Sequence, residues 1–90
     1  MRAARRFLVH GRVQGVGYRY CALDAARREN VTGWIRNLDD GVVEAFVEGE
    51  ADAVERVERV LRRGPTGAYV ASVHVEIKAP TGAWHDFLIT

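Results

Sequence analysis

Gly15, Gly17 and Arg19 close the stretch GRVQGVGYR at residues 11–19, immediately before an alanine-rich helical pattern. Neither glycine has a side chain, so the backbone there can bend sharply and bring N–H groups close to an anion. A helix starting at about Tyr18 adds unpaired N–H donors and the positive end of its dipole. Together these make a pocket suited to a phosphate-sized dianion. Arg19 adds a planar, permanently charged fork of donors that fits phosphate oxygens. The same residues also suit a plain strand-to-helix turn with an arginine in solvent.

Better-known phosphate motifs do not fit. A dinucleotide-binding turn wants a third glycine where this chain has Tyr20, and no Lys-Ser/Thr pair follows, as a nucleotide P-loop requires. Ninety residues also leave no room for a full dinucleotide fold. The anion implied is small.

That length predicts one domain, residues 1–90, with a modest core that buries on the order of 60% of the unfolded chain's surface. Thirteen basic and twelve acidic side chains interleave to a net charge of +1, which argues against nucleic acid or a membrane surface as the partner. Apolar runs are too short to span a bilayer or to serve as a signal-peptide core. The lone cysteine, Cys21, excludes an internal disulfide and fits a reducing, cytoplasmic setting.

Positioning falls to two strand–helix–strand units. Residues 5–13 read as a strand, and 18–30 as a helix whose face carries Tyr18, Cys21, Ala22, Ala25 and Ala26, with Asn30 as its stop. Residues 31–37 and 42–48 read as strands joined at 38–41 by a turn with Asp-Gly in the hairpin position. A second helix follows Gly49-Glu50, with Val54, Val57, Val60 and Leu61 as its buried stripe. Asp52/Arg56, Glu55/Arg59 and Glu58/Arg62 stand at i,i+4 on its outer side, and Arg63-Gly64-Pro65 stops it. Residues 69–77 predict a further strand with Tyr69, Ala71, Val73, Val75 and Ile77 on one face, and 86–90 a short last one. The order βαββαβ with an appended strand implies an α+β, two-layer sandwich of ferredoxin-like type.

That topology brings a second residue into the argument. A strand–helix–strand crossover makes the first two strands run the same way, so their carboxyl ends share one end of the sheet. Arg19 and Asn37 should therefore face one another across a short gap. An asparagine amide offers an acceptor and a donor, enough to orient a water molecule. Asn37 could equally serve only to shape the hairpin.

Two motifs resemble those of the acylphosphatase family: GRVQGVGYR, and GWIRNLDDGVVEAFVEG at 33–49. Gly64-Pro65, residues 68–70 and Phe87–Ile89 are also similar, so the resemblance runs through nearly the whole chain. By position, it implies that Arg19 binds phosphate, that Asn37 orients the attacking water, and that the backbone of Gln14, Gly15, Val16, Gly17 and Tyr18 forms the cradle. It implies hydrolysis of small acyl phosphates such as acetyl phosphate, with no metal and no cofactor, and the chain is expected to be a monomer. Cys21 departs from the bulkier apolar residue of many relatives, which bears on helix packing alone.

Other readings compete on named residues. CALDAAR at 21–27 has the Cys-x5-Arg spacing of cysteine-dependent phosphatases, but its intervening residues favour a helix, whose N–H groups cannot turn inward around an anion. An RNA-recognition domain shares the strand and helix order, yet VVEAFVE carries acids where that motif needs bases. A sensor that binds acyl phosphates without cleaving them would use the same loop and stays open. His10, His74 and His85 show no metal-ligand spacing. His10 stands one residue before the loop motif and could act on the pocket or simply face neighbours or solvent. Tyr18 and Trp34 could flank a ligand or belong to the core.

Overall fold

Alternation along the first strand sorts its side chains onto two faces. In the computed structural model, which describes residues 1–90, β1 (Arg2–Arg12) turns Phe7 and Val9 into the core and Arg6 towards glutamates on the other face. Helix α1 (Tyr18–Arg28), strands β2 (Thr32–Asn37) and β3 (Val43–Glu50), helix α2 (Ala51–Arg63) and strands β4 (Tyr69–Lys78) and β5 (Phe87–Ile89) follow. The sheet order is β4-β1-β3-β2-β5. Both β1 and β2 pair antiparallel with β3, so they run the same way with β3 between them. Strand β4 adds antiparallel to β1, and β5 adds parallel to β2. The result is the expected ferredoxin-like α+β sandwich with an extra C-terminal strand.

The small face of α1 lets that helix lie close to the sheet: Ala22, Ala25 and Ala26 are all buried. Asn30 ends it in the left-handed region (φ 56°), with Val31 N–H donating to Ala26 O and Asn30 N–H to Arg27 O. That is the Schellman arrangement, in which asparagine replaces the usual glycine. Helix α2 buries Ala53, Val54, Val57 and Leu61, while Val60 is only partly covered. The Tyr18 hydroxyl donates to Leu61 O at 2.6 Å, tying the start of α1 to the end of α2.

Three expectations need correction. On α2 only Glu58/Arg62 pairs along the helix; Arg56 instead reaches Glu29, the C-cap of α1, at 2.7 Å. Exposed i,i+4 pairs contribute only a few tenths of a kcal/mol, so a nearby tertiary partner readily displaces them. Strand β4 does not alternate throughout. Its register shifts where His10 faces Ser72 but Gly11 faces Val70, and beyond this bulge the inward residue is Val70. Tyr69 and Ala71 consequently point out, and Ile77 is exposed at the far end of this edge strand. Finally, the turn between β2 and β3 is a three-residue loop, with Leu38 N–H donating to Val42 O and Gly41 N–H to Leu38 O.

No helix covers the second face of the sheet, yet Glu44 and Glu48 on that face are 4% and 1% exposed. Burial alone would raise their pKa values, but charged and polar donors outweigh it and hold both below the usual carboxylate range. Glu44 accepts from Arg36 and Arg6. Glu48 accepts from the Thr81 N–H and hydroxyl and the Gly82 N–H, which straps residues 81–82 over the sheet.

Candidate active site

The site forms where β1 gives way to α1. Gly15 (φ 76°) and Gly17 (φ 77°) both adopt left-handed backbone, which glycine enters without the cost a Cβ imposes. A Cβ at either would meet nothing within 4 Å, so the dihedral angle and not crowding selects glycine. Gly17 is the N-cap of α1; no side chain caps the helix, and its first turn has no acidic residue. The first helical bond is Cys21 N–H to Gly17 O at 3.0 Å. Hence the N–H groups of Tyr18, Arg19 and Tyr20 have no acceptor within the helix, and none appears in the loop. They form a concentration of positive partial charge at a bent, glycine-opened loop.

Arg19 sits on the first turn of α1, half-buried and with no carboxylate within 4 Å. That combination sets it apart. Arg5 and Arg6, the other partly buried arginines, are both paired with glutamates, and the remaining unpaired ones, Arg12, Arg59 and Arg63, are exposed. A partly buried arginine whose guanidinium has no partner within the chain is suited to an anion from outside it.

Asn37 is the last residue of β2, on the same side of the sheet as Gly33 and Ile35 by alternation, and so on the helix side. Its Oδ1 is buried and accepts no hydrogen bond; it is the one buried side-chain nitrogen or oxygen in the chain of which this is true. Such an orphan acceptor destabilises a fold by about 1–3 kcal/mol unless a donor arrives, and it marks a place where a polar group is expected to dock. The loop and this strand end are joined by the Gln14 side chain. Its Nε2 donates to Leu38 O at 2.8 Å and to Val42 O at 3.1 Å. The structure thus brings the loop of residues 14–19 against the turn that Asn37 begins. Sequence reasoning assigned Gln14 a backbone role only; a long amide side chain preceding a glycine loop was the available signal for more.

A profile of the acylphosphatase family matches residues 5–89. The chain belongs to the acylphosphatase family. Among its relatives, the acylphosphatase of Anaeromyxobacter dehalogenans is 51% identical over 81 residues, covering 90% of this chain and 87% of the relative. That of Rhizobium etli is 45% identical over 87 residues, covering 97% and 93%. The crystal structure of acylphosphatase from Bacillus subtilis superposes with a TM-score of 0.94 at 33% identity, covering 100% of this chain and 99% of that one. The chain is therefore a hydrolase, and the acylphosphatase fold supplies the frame in which the remaining candidates are placed.

Several of those candidates fall outside the acylphosphatase loop. The ring of Tyr18 is buried between the two helices, so only its backbone N–H can reach the loop. Trp34 lies on the opposite face of the sheet from Asn37, stacked on Phe46 (ring centroids 6.3 Å apart) and beneath the Arg36 guanidinium. It flanks no ligand at Arg19. His10 and His74 are exposed strand residues, and no group of three or more His, Cys, Asp or Glu side chains is placed to hold a metal ion. No helix is long and apolar enough to cross a membrane.

Cys21 and Arg27 stand six residues apart along α1, and Arg27 faces Asp86 at 3.6 Å. Burial, with the Asp24 charge adding to it, pushes the Cys21 thiol up, opposite to what an attacking thiolate needs. Cys21→Ser should leave turnover nearly intact, with a modest stability loss from placing a hydroxyl in a partly apolar contact. Mass spectrometry after mixing with acetyl phosphate should find no phosphocysteine; a trapped adduct would overturn this assignment.

Proposed function

We propose that residues 1–90 act as one acylphosphatase unit. It cleaves the carboxyl–phosphate anhydride of small acyl phosphates, with Arg19 and the loop holding the phosphate and Asn37 orienting the water. The buried, unpartnered Oδ1 of Asn37 carries this reading. It supplies an acceptor beside a loop whose own free groups are all donors, which is the polarity needed to hold a water's proton while its lone pair faces phosphorus. Arg19 without a carboxylate, and the uncapped N–H groups of residues 18–20, support the phosphate end.

The chemistry suits so sparse a set of groups. Phosphoryl transfer through a loose transition state needs chiefly positioning and charge stabilisation on three equatorial oxygens. Water forms the new bond to phosphorus, and the bond from phosphorus to the acyl oxygen breaks. The electron pair leaves on a carboxylate, which is stable at neutral pH without a proton. The water's proton passes to a phosphate oxygen, so no side chain has to act as base. Phosphate release from acetyl or benzoyl phosphate should therefore proceed undiminished in EDTA. Tight binding of the substrate without release would replace hydrolysis by sensing, and loss of release in EDTA would require a metal.

A further inference from the structure

We infer that the side chain of Gln14 is a positioning residue that fixes Asn37 relative to the phosphate loop. The inference rests on the reading above, in which Asn37 orients the water. A glutamine amide has two N–H protons, and Gln14 spends them on the two carbonyls that close the β2–β3 turn, Leu38 O and Val42 O. Each of these carbonyls already accepts one backbone bond, from Gly41 N–H and Leu38 N–H respectively. Their second lone pairs are thus taken up by a residue distant by 24 and 28 positions. Leu38 is the residue bonded to Asn37, so the amide holds the backbone from which the Asn37 side chain projects. No other side-chain hydrogen bond joins residues 13–17 to this turn.

The need for such a latch follows from the loop itself. Gly15 and Gly17 give it the bend required for the cradle, and they also leave its backbone weakly constrained. A displacement of about 1 Å between the held phosphate and the held water suffices to lower the rate on the order of 10²-fold. Only a side chain with two donors at the right length can serve. Asparagine is one methylene short, and a carboxylate would face both carbonyls with no proton to offer.

A double-mutant cycle on the full chain, with acetyl phosphate as substrate, tests this. Gln14→Met keeps the length and the apolar stem and removes both donors. It should lower kcat roughly tenfold to 10²-fold while KM stays within about threefold, because the interaction matters most in the transition state. In an Asn37→Ala background the same substitution should lower kcat by less than about twofold, since the group it positions is gone. Equal losses in both backgrounds, or wild-type kcat in Gln14→Met, would overturn the inference. Wild-type turnover in Asn37→Ala alone would remove the water-orienting reading and this one with it. Gln14→Glu covers the case in which Gln14→Met does not fold. Its kcat relative to wild type should rise as pH falls through the carboxyl's titration, which restores one O–H donor; a ratio independent of pH would count against the latch.

Discussion

Arg19→Ala should lower kcat/KM by roughly 10²–10³ while the protein keeps its circular dichroism and its melting temperature. Both halves of that result follow from the geometry. Arg19 is the partly buried arginine with no carboxylate near it, and its side chain makes no hydrogen bond within the chain. Removing it therefore breaks no hydrogen bond or ion pair of the fold. In the proposed mechanism the substrate's phosphate, by contrast, loses the one fixed full charge assigned to it, leaving only backbone N–H groups. Arg19→Lys restores the charge as a single compact donor and loses the planar fork, so it should recover only a small part of the rate. Calorimetric titration with inorganic phosphate should show binding weakened in both variants. If Arg19→Ala kept about half of the wild-type kcat/KM, the phosphate would have to be held by other groups.

The frame of the site was legible in the chain because it depends on local patterns. Gly15 and Gly17 announced a left-handed, bent backbone, and the alanine face of α1 announced where the helix would begin and lie. The parallel course of β1 and β2 follows from the crossover between them, which sets the start of α1 and the end of β2 at one end of the sheet. What the chain did not disclose depends on partners distant in sequence. The bulge in β4 exists in the pairing of two strands, Gly11 against Val70, and leaves the alternation of residues 69–77 looking unbroken when read alone. Nothing in the strand pattern of 42–48 marks Glu48 as buried; its burial comes from Thr81 and Gly82, 33 and 34 residues further on, which fold over it. Gln14 reads as a loop residue, and its side-chain role appears only once Leu38 and Val42 stand opposite. Arg56 gave up its helical neighbour Asp52 for Glu29 for the same reason.

Asn37→Ala should separate the two halves of the mechanism. The phosphate loop, Arg19 and the Gln14 amide remain in place in this variant, because Gln14 bonds to backbone carbonyls at 38 and 42 and not to the asparagine side chain. Inorganic phosphate should accordingly bind with near wild-type affinity by calorimetry or NMR. Turnover should nonetheless fall by roughly 10²-fold or more, since placing a nucleophile is worth most in the transition state. The stability effect should run the opposite way to the activity effect. Asn37 Oδ1 is the one buried side-chain acceptor without a donor, so deleting it relieves a desolvation penalty on the order of 1–3 kcal/mol, set against the packing lost with the side chain. A protein that is unchanged or slightly raised in melting temperature, binds phosphate and fails to turn over is what a water-orienting asparagine predicts. A residue that merely shapes the hairpin predicts the reverse, a lowered melting temperature with turnover retained. Asn37→Asp sharpens the comparison. A carboxylate there still accepts from water but stands close to a held dianion, so it should weaken phosphate binding where alanine does not.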